Sequence, residues 1–338
     1  MFLSFPENFL WGTSTAAAQV ETAADHPWRG LTAKDGYRFE RTTDHELHRD
    51  EDAEYIARFG TVYRCGVDWS RLQPRPMAKF DPAVIDEYIS FFETLKAKGV
   101  SLMFVLHHFC HPNWFEKLGG WTKEENISYY VNYSQQCLKH FGKYTAWWNT
   151  FNEPNVYAYN AFFSGDFPPF KKRKYFTANR VLDNMGRAHN IVRALIRKKN
   201  KRAPVGISLN TAYFEAANQL GRLPAAFAGW WFLDRAAEPF EKCDFWGLSY
   251  YAHLLFDPFP IENINRPETV ARLGLPHDKM WLYKPEGLGW VLERFWKKYQ
   301  KPIIITEDGI CTDDSRQRIG ALRDYLGVCH QAIQNGVD

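Results

Sequence analysis

The sequence lacks a long hydrophobic run: within its 338 residues no apolar stretch reaches the roughly 18 residues that a membrane-spanning helix needs. We therefore expect no membrane span. The N-terminal "MFLSFPENF" lacks a basic segment followed by an apolar one, so no secretory leader is visible. The net charge is only +3, which argues against a nucleic-acid partner.

Two further absences concern cysteine and glycine motifs. The six cysteines are scattered and form no CxxC pair, a pattern typical of free thiols in a reducing cytoplasm. No GxGxxG follows the first predicted strand, which argues against a dinucleotide-binding, doubly wound sheet. We predict a cytoplasmic protein without a cofactor or a metal.

Aromatic residues are abundant. They make up 17% of the chain and include 13 tryptophans. Most should lie in the core, although aromatic rings also suit the apolar faces of sugar rings. Five of these side chains fit either interpretation: Trp114, Trp121, Tyr250, Trp281 and Trp290.

Seven short apolar runs predict β-strands, and each ends in polar or reactive residues. Helical stretches fill the gaps between them, for example 81–99, with Asp81 as N-cap, Pro82 in the first turn and Gly99 as terminator. The predicted strands are Phe9–Ala17, Thr61–Trp69, Ser101–Phe109, Ala146–Phe151, Pro204–Asn210, Asp244–Tyr251 and Pro302–Thr306.

Alternating apolar strands and helices predict a parallel sheet that is covered on both faces. The length and spacing favour an α/β fold, the (β/α)₈ TIM barrel, in a single catalytic domain over residues 1–338. After the last predicted helix, 315–336, only Val337 and Asp338 follow. We therefore expect the eighth β/α unit to be absent and the barrel to be C-terminally incomplete.

Two carboxylates stand at the ends of predicted strands. Glu153 follows strand four in "WWNTFNEPN", and Glu307 follows strand seven in "IIITEDG". In a TIM barrel these strand ends face each other across the mouth, where catalysis takes place. Such a pair suits acetal hydrolysis, because one carboxylic acid protonates the leaving oxygen while the other carboxylate attacks. The structural alternative is that each glutamate caps the helix that follows it.

Six motifs in order give the chain a resemblance to a known family. They are "FPENFLWGTSTAAAQVE", "YRCGVDWSRL", "LHHFCHPNWF…GGW", "TFNEP", "DFWGLSYY" and "ITEDG". The chain resembles glycoside hydrolase family 1, the retaining β-glucosidases and β-galactosidases. The resemblance spans nearly the whole chain and implies a β-linked saccharide or glycoside as substrate.

The resemblance implies a role for each matching residue. Glu153 would be the general acid/base, and Glu307 would be the nucleophile of a double displacement. Asn152 would hold the sugar 2-hydroxyl, while Gln19 and His108 would bind the side of the sugar that carries the 3- and 4-hydroxyls. Arg64 and Tyr251 would contact Glu307 and keep it ionised, with Tyr251 also binding substrate.

The chain departs from the family pattern at two positions. Ser249 stands where the family usually has Asn before the tyrosine pair, and Asp308 stands where it usually has Asn after the nucleophile. In the family, the eighth unit supplies residues that hold the sugar, so its expected absence leaves the activity of this chain and the identity of its sugar open.

Three other functions remain open. A transglycosidase of the same family would use the same carboxylates, and a catalytically impaired, sugar-binding remnant would follow from the expected loss of the eighth unit. A metal-dependent hydrolase is the third, because "HHFCH" (His107 to His111) and "DHELH" (Asp44 to His48) contain residues of the types that bind metals. The oligomeric state is also open.

Overall fold

The computed structural model describes residues 3–22, 24–33, 36–257, 267–272 and 274–338. The chain divides into two compact units. We refer to Leu10–Ser208 as the N-terminal unit, and to Met1–Phe9 with Leu209–Asp338 as the C-terminal unit. That residues 1–338 act as one catalytic domain stays a prediction.

The part of the chain that the structure describes contains seven strands, which follow one another in chain order through the sheet. Each lies within or close to one of the seven predicted runs, although β4 to β7 all continue past their predicted ends, β5 and β6 by the most. The registered neighbours β1 to β5, and β6 with β7, pair in parallel. The strands are β1 (Gly12–Ser14), β2 (Val62–Gly66), β3 (Ser101–Val105), β4 (Thr145–Asn152), β5 (Val205–Ala216), β6 (Trp246–Phe256) and β7 (Ile303–Asp308).

Helices separate the strands. Those of the N-terminal unit are α1 (Ala17–Val20), α2 (His45–Phe59), α3 (Trp69–Leu72), α4 (Pro82–Ala97), α5 (Asn113–Lys117), α6 (Ile127–Phe141), α7 (Pro154–Tyr159) and α8 (Tyr175–Lys199). Those of the C-terminal unit are α9 (Arg222–Gly229), α10 (Pro267–Arg272), α11 (Glu286–Tyr299) and α12 (Ser315–Gln334). None of the described helices is long and apolar enough to cross a bilayer.

Helix α4 begins and ends as its sequence predicts. The Asp81 side chain accepts a hydrogen bond from the Ala83 N–H at 2.9 Å, and Pro82 occupies the first helical position, where a missing N–H costs nothing. Gly99 follows the helix with φ +76°, a left-handed conformation that glycine adopts without steric cost.

Helix α12 buries a different face from the one its apolar period predicts. Leucine and isoleucine spacing indicates a face of Ile319, Leu322, Leu326, Cys329 and Ile333, but Ile319 is 58% exposed and Leu322 is 45% exposed. The buried residues of α12 are Ala321, Tyr325, Cys329 and Ala332. The predicted helix over 315–336 is confirmed as Ser315–Gln334, but of the apolar residues spaced along it only Cys329 is buried. The Tyr325 ring packs against Tyr250 and Tyr283, so an aromatic contact selects the buried face.

Aromatic packing supports strand β4 in the N-terminal unit. Trp148 on β4 lies 5.3 Å from the Phe104 ring on β3, and Phe151 stacks on Tyr130 of α6 at 4.9 Å. Large buried rings contribute more hydrophobic area than any other side chains, so these contacts fix the strand that leads to Glu153. Trp121 and Tyr250 are also fully buried and belong to the core, whereas Trp281 and Trp290 are partly exposed.

Candidate active site

Strand β4 ends at Asn152 and is followed by Glu153, two of the predicted site residues. The Asn152 N–H donates to the His107 carbonyl at 2.8 Å, and the Glu153 N–H donates to the Ser208 carbonyl at 2.7 Å. These bonds join β4 to the segment after β3 on one side and to β5 on the other. Asn152 and Glu153 are buried, with 1% and 5% of their surface exposed.

Glu153 has an unusual backbone conformation. Its φ of 43° and ψ of 57° lie in the left-handed region, which a residue with a side chain rarely adopts. A residue before proline normally favours an extended conformation, so the left-handed backbone of Glu153, which precedes Pro154, is all the more unusual. Glu153 also stands at the N-cap position of α7, yet its carboxylate makes no capping hydrogen bond. The capping alternative is therefore wrong for Glu153.

The Asn152 amide lies between a cation and an imidazole. Its Oδ1 accepts a hydrogen bond from Arg64 Nη2, and its Nδ2 donates to His108 Nε2 at 2.9 Å. Burial and the nearby Arg64 guanidinium hold the pKa of His108 well below its usual range. His108 is therefore neutral at physiological pH, which leaves Nε2 able to accept the amide proton.

Arg64 is fixed by two serines that the sequence interpretation did not single out. Its Nη1 donates to Ser14 Oγ at 2.8 Å, and its Nη2 donates to Ser208 Oγ at 3.2 Å. Ser208 Oγ also accepts a bond from Asn149 of β4. The sequence signal that could have revealed Ser208 is its position as a polar residue within the apolar run "VGISLN", because a buried hydroxyl needs a hydrogen-bond partner.

Gln19 lies on the short helix α1, and its side chain is exposed. Ala17 and Ala18 of the same helix line a small cavity together with His108 and Asp68. The sequence-predicted residues Gln19 and His108 thus belong to the same region of the N-terminal unit. Gln19 itself is not among the residues that line this cavity.

The C-terminal unit contains the second predicted carboxylate. Glu307 of β7 pairs in register with Ser249 of β6, and its Oε2 accepts a hydrogen bond from the Tyr251 hydroxyl at 3.0 Å. The helix that follows is capped by another residue, since the Asp314 side chain accepts the Arg316 N–H at 2.8 Å. The capping alternative is therefore wrong for Glu307 as well.

Asp308, which departs from the family pattern, is a largely buried carboxyl group next to Glu307. Its backbone pairs with Tyr250, and its Oδ1 has no hydrogen-bond partner among the described residues. Burial raises the pKa of Asp308 to about 8, although a hydrogen bond from the Gly309 backbone opposes the shift. At neutral pH this side chain is mostly a neutral carboxylic acid, which has nearly the shape of the asparagine it replaces.

The histidines of "HHFCH" do not converge on one point. His107 Nε2 lies 3.3 Å from Trp121 Nε1 and 3.3 Å from His111 Nδ1, while His111 Nε2 lies 2.8 Å from Glu116. His108 is bonded to Asn152 instead. Within the described ranges no three His, Cys, Asp or Glu side chains form a metal-binding group. His107 and His111 therefore serve as structural residues, and His108 belongs to the Asn152 network.

The predicted site residues are divided between the two units. Those in the N-terminal unit are Gln19, Arg64, His108, Asn152 and Glu153, and those in the C-terminal unit are Tyr251 and Glu307. The Arg64–Asn152–His108 network and the Tyr251–Glu307 bond are each formed within one unit. The predicted approach of Arg64 to Glu307 and the predicted facing of the two carboxylates across the barrel mouth stay predictions.

Comparison with known proteins identifies the family. The sequence profile described as "Glycosyl hydrolase family 1" matches residues 2–220 and 234–338. The chain belongs to glycosyl hydrolase family 1. This confirms the resemblance drawn from the six motifs, and it confirms the predicted enzyme class, the glycoside hydrolases.

Relatives and solved structures of this family resemble the chain over almost all of its length. Beta-glucosidase A of Thermotoga maritima is 29% identical over 98% of this chain and 86% of its own length. A solved structure of the Thermotoga maritima family 1 β-glucosidase has a TM-score of 0.88 at 26% identity, covering 99% of this chain and 87% of that one.

A β-glycosidase from Pyrococcus horikoshii has a TM-score of 0.85 at 28% identity, covering all of this chain and 84% of that one. These family 1 structures confirm the predicted α/β barrel class, with seven strands in the described residues. The Thermotoga maritima enzyme has also been solved in complex with deoxynojirimycin, and that structure has a TM-score of 0.85 at 27% identity.

Proposed function

We propose that the protein hydrolyses β-glycosides with retention of configuration, through a covalent glycosyl-enzyme. Glu153 is the general acid/base and Glu307 is the nucleophile. The observation that carries the proposal is that each glutamate ends a strand of the parallel sheet without capping the helix that follows. A buried carboxylate such as Glu153 is costly, and its cost is explained when the group performs chemistry.

In the first step, protonated Glu153 donates its proton to the glycosidic oxygen as the bond from that oxygen to the anomeric carbon breaks. The Glu307 carboxylate attacks the anomeric carbon from the opposite face and forms an ester with the sugar, while the leaving group departs as an alcohol. Retention requires the two carboxyl groups to approach to about 5 Å. We therefore also propose that both units serve one catalytic domain.

In the second step, ionised Glu153 removes a proton from water. The resulting hydroxide attacks the anomeric carbon, the bond to Glu307 breaks, and the sugar leaves with its original configuration. Glu153 is protonated again and Glu307 is again a carboxylate. The Tyr251 hydroxyl that donates to Glu307 orients it between these steps.

We assign substrate binding to the Asn152 network. Arg64 and His108 fix both ends of the Asn152 amide, so the remaining Nδ2 hydrogen is held in one direction. This rigidity suits a donor to the sugar 2-hydroxyl, where hydrogen bonds strengthen in the transition state. Gln19 and His108 bind the 3- and 4-hydroxyl side. The β-glucosidase names of the relatives support a β-glucoside as the substrate.

A cytoplasmic location is part of the same proposal. Among the described residues, Cys65, Cys137 and Cys329 are buried thiols that form no disulfide. Buried thiols of this kind suit a reducing compartment.

Turnover of 4-nitrophenyl β-D-glucoside tests the assignment of the two glutamates. Replacing Glu307 with alanine should reduce kcat by about 1,000-fold or more, because no covalent intermediate forms. The Glu153→Ala variant should lose about 100- to 10,000-fold with a poor leaving group, and much less with a dinitrophenyl group that departs without protonation. The matched control is Glu125→Ala, since Glu125 is a solvent-exposed glutamate of the same unit as Glu153.

One result would favour the sugar-binding remnant instead. In that case the parent protein would hydrolyse no aryl glycoside and would bind sugar as well as the Glu153→Ala and Glu307→Ala variants do. Product analysis with an added sugar acceptor separates the transglycosidase, which would form a new glycoside rather than free sugar.

A further inference from the structure

Glu21 is a buried carboxylate that the proposed chemistry does not use. Only 3% of its surface is exposed. The Tyr88 hydroxyl lies 2.7 Å and 2.9 Å from its two oxygens, and Arg71 Nη1 donates to Oε2 at 2.8 Å. Tyr88 belongs to α4 and Arg71 to α3, so one side chain joins three segments of the N-terminal unit.

The burial of Glu21 makes its two hydrogen-bonding partners necessary. Burial raises the pKa of Glu21 to about 7, and the nearby Asp68 adds to the shift, while Tyr88 and Arg71 oppose it. A carboxylate held in this way needs both partners, because an uncompensated buried charge is costly. The hydrogen bonds from Tyr88 and Arg71 therefore both oppose a displacement of Glu21.

Glu21 directly follows the helix that carries Gln19. It is the C-cap residue of α1, and its N–H donates to the Ala17 carbonyl at 2.8 Å. Ala17 and Ala18 line the cavity that His108 also lines. Helix α1 has only four residues and one backbone turn of its own, so its position depends on contacts outside it.

We propose that Glu21 is a positioning residue that fixes α1 so that the Gln19 amide meets a hydroxyl of the bound sugar. This inference rests on the proposed function, in which Gln19 binds the side of the sugar that carries the 3-hydroxyl. Glu21 itself does not touch the substrate. It acts through the two hydrogen-bonded partners that hold the end of α1.

Binding of methyl β-D-glucoside and of its 3-deoxy analogue tests the proposal by calorimetry, without any need for turnover. The Kd of the 3-deoxy analogue divided by the Kd of methyl β-D-glucoside measures the contribution of the 3-hydroxyl contact alone. In Glu21→Gln this ratio should fall about three- to tenfold, which is the value of one neutral hydrogen bond. Tyr88→Phe, which keeps the ring and removes only the hydroxyl, should change the ratio in the same direction.

The matched control is Glu87→Gln. Glu87 also accepts a hydrogen bond from Arg71, at 2.6 Å, but its side chain is 43% exposed and it does not adjoin α1 in sequence. Its ratio should stay at the parent value. Amide hydrogen exchange over residues 17–22 should also be faster in Glu21→Gln than in Glu87→Gln.

The results separate the two proposals. If the parent binds and distinguishes both ligands, and Glu21→Gln and Tyr88→Phe keep that ratio and the parent exchange rates, the positioning role is overturned while the proposed function stands. An equal loss of affinity for both ligands in Glu21→Gln also overturns it, because that is a general loss of structure. If the parent binds neither ligand, the proposed function fails and this inference fails with it.

Discussion

Two energetically costly local features mark the ends of β4 and β7. Glu153 adopts a left-handed conformation that costs a residue with a side chain about 1–3 kcal/mol, and Asp308 buries a carboxyl group with one oxygen lacking a partner among the described residues. Neither feature improves folding. Glu153 is itself a proposed catalytic residue, and Asp308 directly follows the other one, Glu307. Proteins retain such energetic costs at functional sites.

Asp308 should make the stability of the protein depend on pH. Its pKa is about 8 in the folded chain and about 3.8 in the unfolded chain, so the folded state binds more protons between these values. The contribution of Asp308 to stability is therefore fully present below about pH 4 and is lost as the pH rises toward 8, by at most about 1.4 kcal/mol per pH unit. Asp308→Asn removes this loss, so its Tm should exceed that of the parent increasingly from pH 5 to pH 8.

Thermal unfolding of both proteins at several pH values measures this difference. The Asp313→Asn variant is a suitable control, because Asp313 is a highly exposed aspartate of the same unit. A Tm difference between Asp308→Asn and the parent that stays constant across the range would contradict a raised pKa at Asp308.

At the scale of the elements, capping residues predicted the ends of a helix better than apolar spacing predicted its buried face. Asp81, Pro82 and Gly99 locate α4 correctly, since each acts on the backbone at an end of that helix. The period of Ile319, Leu322 and Leu326 fails for α12, because the buried face depends on which neighbours the helix meets. Tyr325 meets Tyr250 and Tyr283, and no pattern within α12 encodes those partners.

The corrected face of α12 can be tested by two substitutions. Leu322→Gln changes an exposed side chain and should alter the free energy of unfolding by no more than about 0.5 kcal/mol. Tyr325→Ala removes a buried ring and should cost about 3 kcal/mol or more. Urea unfolding measures both. A larger loss for Leu322→Gln than for Tyr325→Ala would restore the face that the apolar period indicates.

At the scale of the whole molecule, the sequence was sufficient for the strand order and for placing Glu153 and Glu307 at the ends of β4 and β7. Strand–helix alternation predicts the parallel sheet, and "TFNEP" and "ITEDG" place Glu153 and Glu307 at strand ends. The contacts of Ser14 and Ser208 with Arg64 were not predictable, because they join residues far apart in the chain. The left-handed backbone of Glu153 was missed for a similar reason, since its bond to the Ser208 carbonyl lies outside its own strand.

The central claim is that Glu307 becomes covalently attached to the sugar. The most direct measurement is intact mass after incubation with 2-deoxy-2-fluoro-β-D-glucosyl fluoride, whose fluorine slows the second step and lets the intermediate accumulate. We predict a gain of one sugar per chain, mapped by peptide digestion to Glu307 and absent in Glu307→Ala. An unlabelled parent protein, or a label on another residue, would contradict the account.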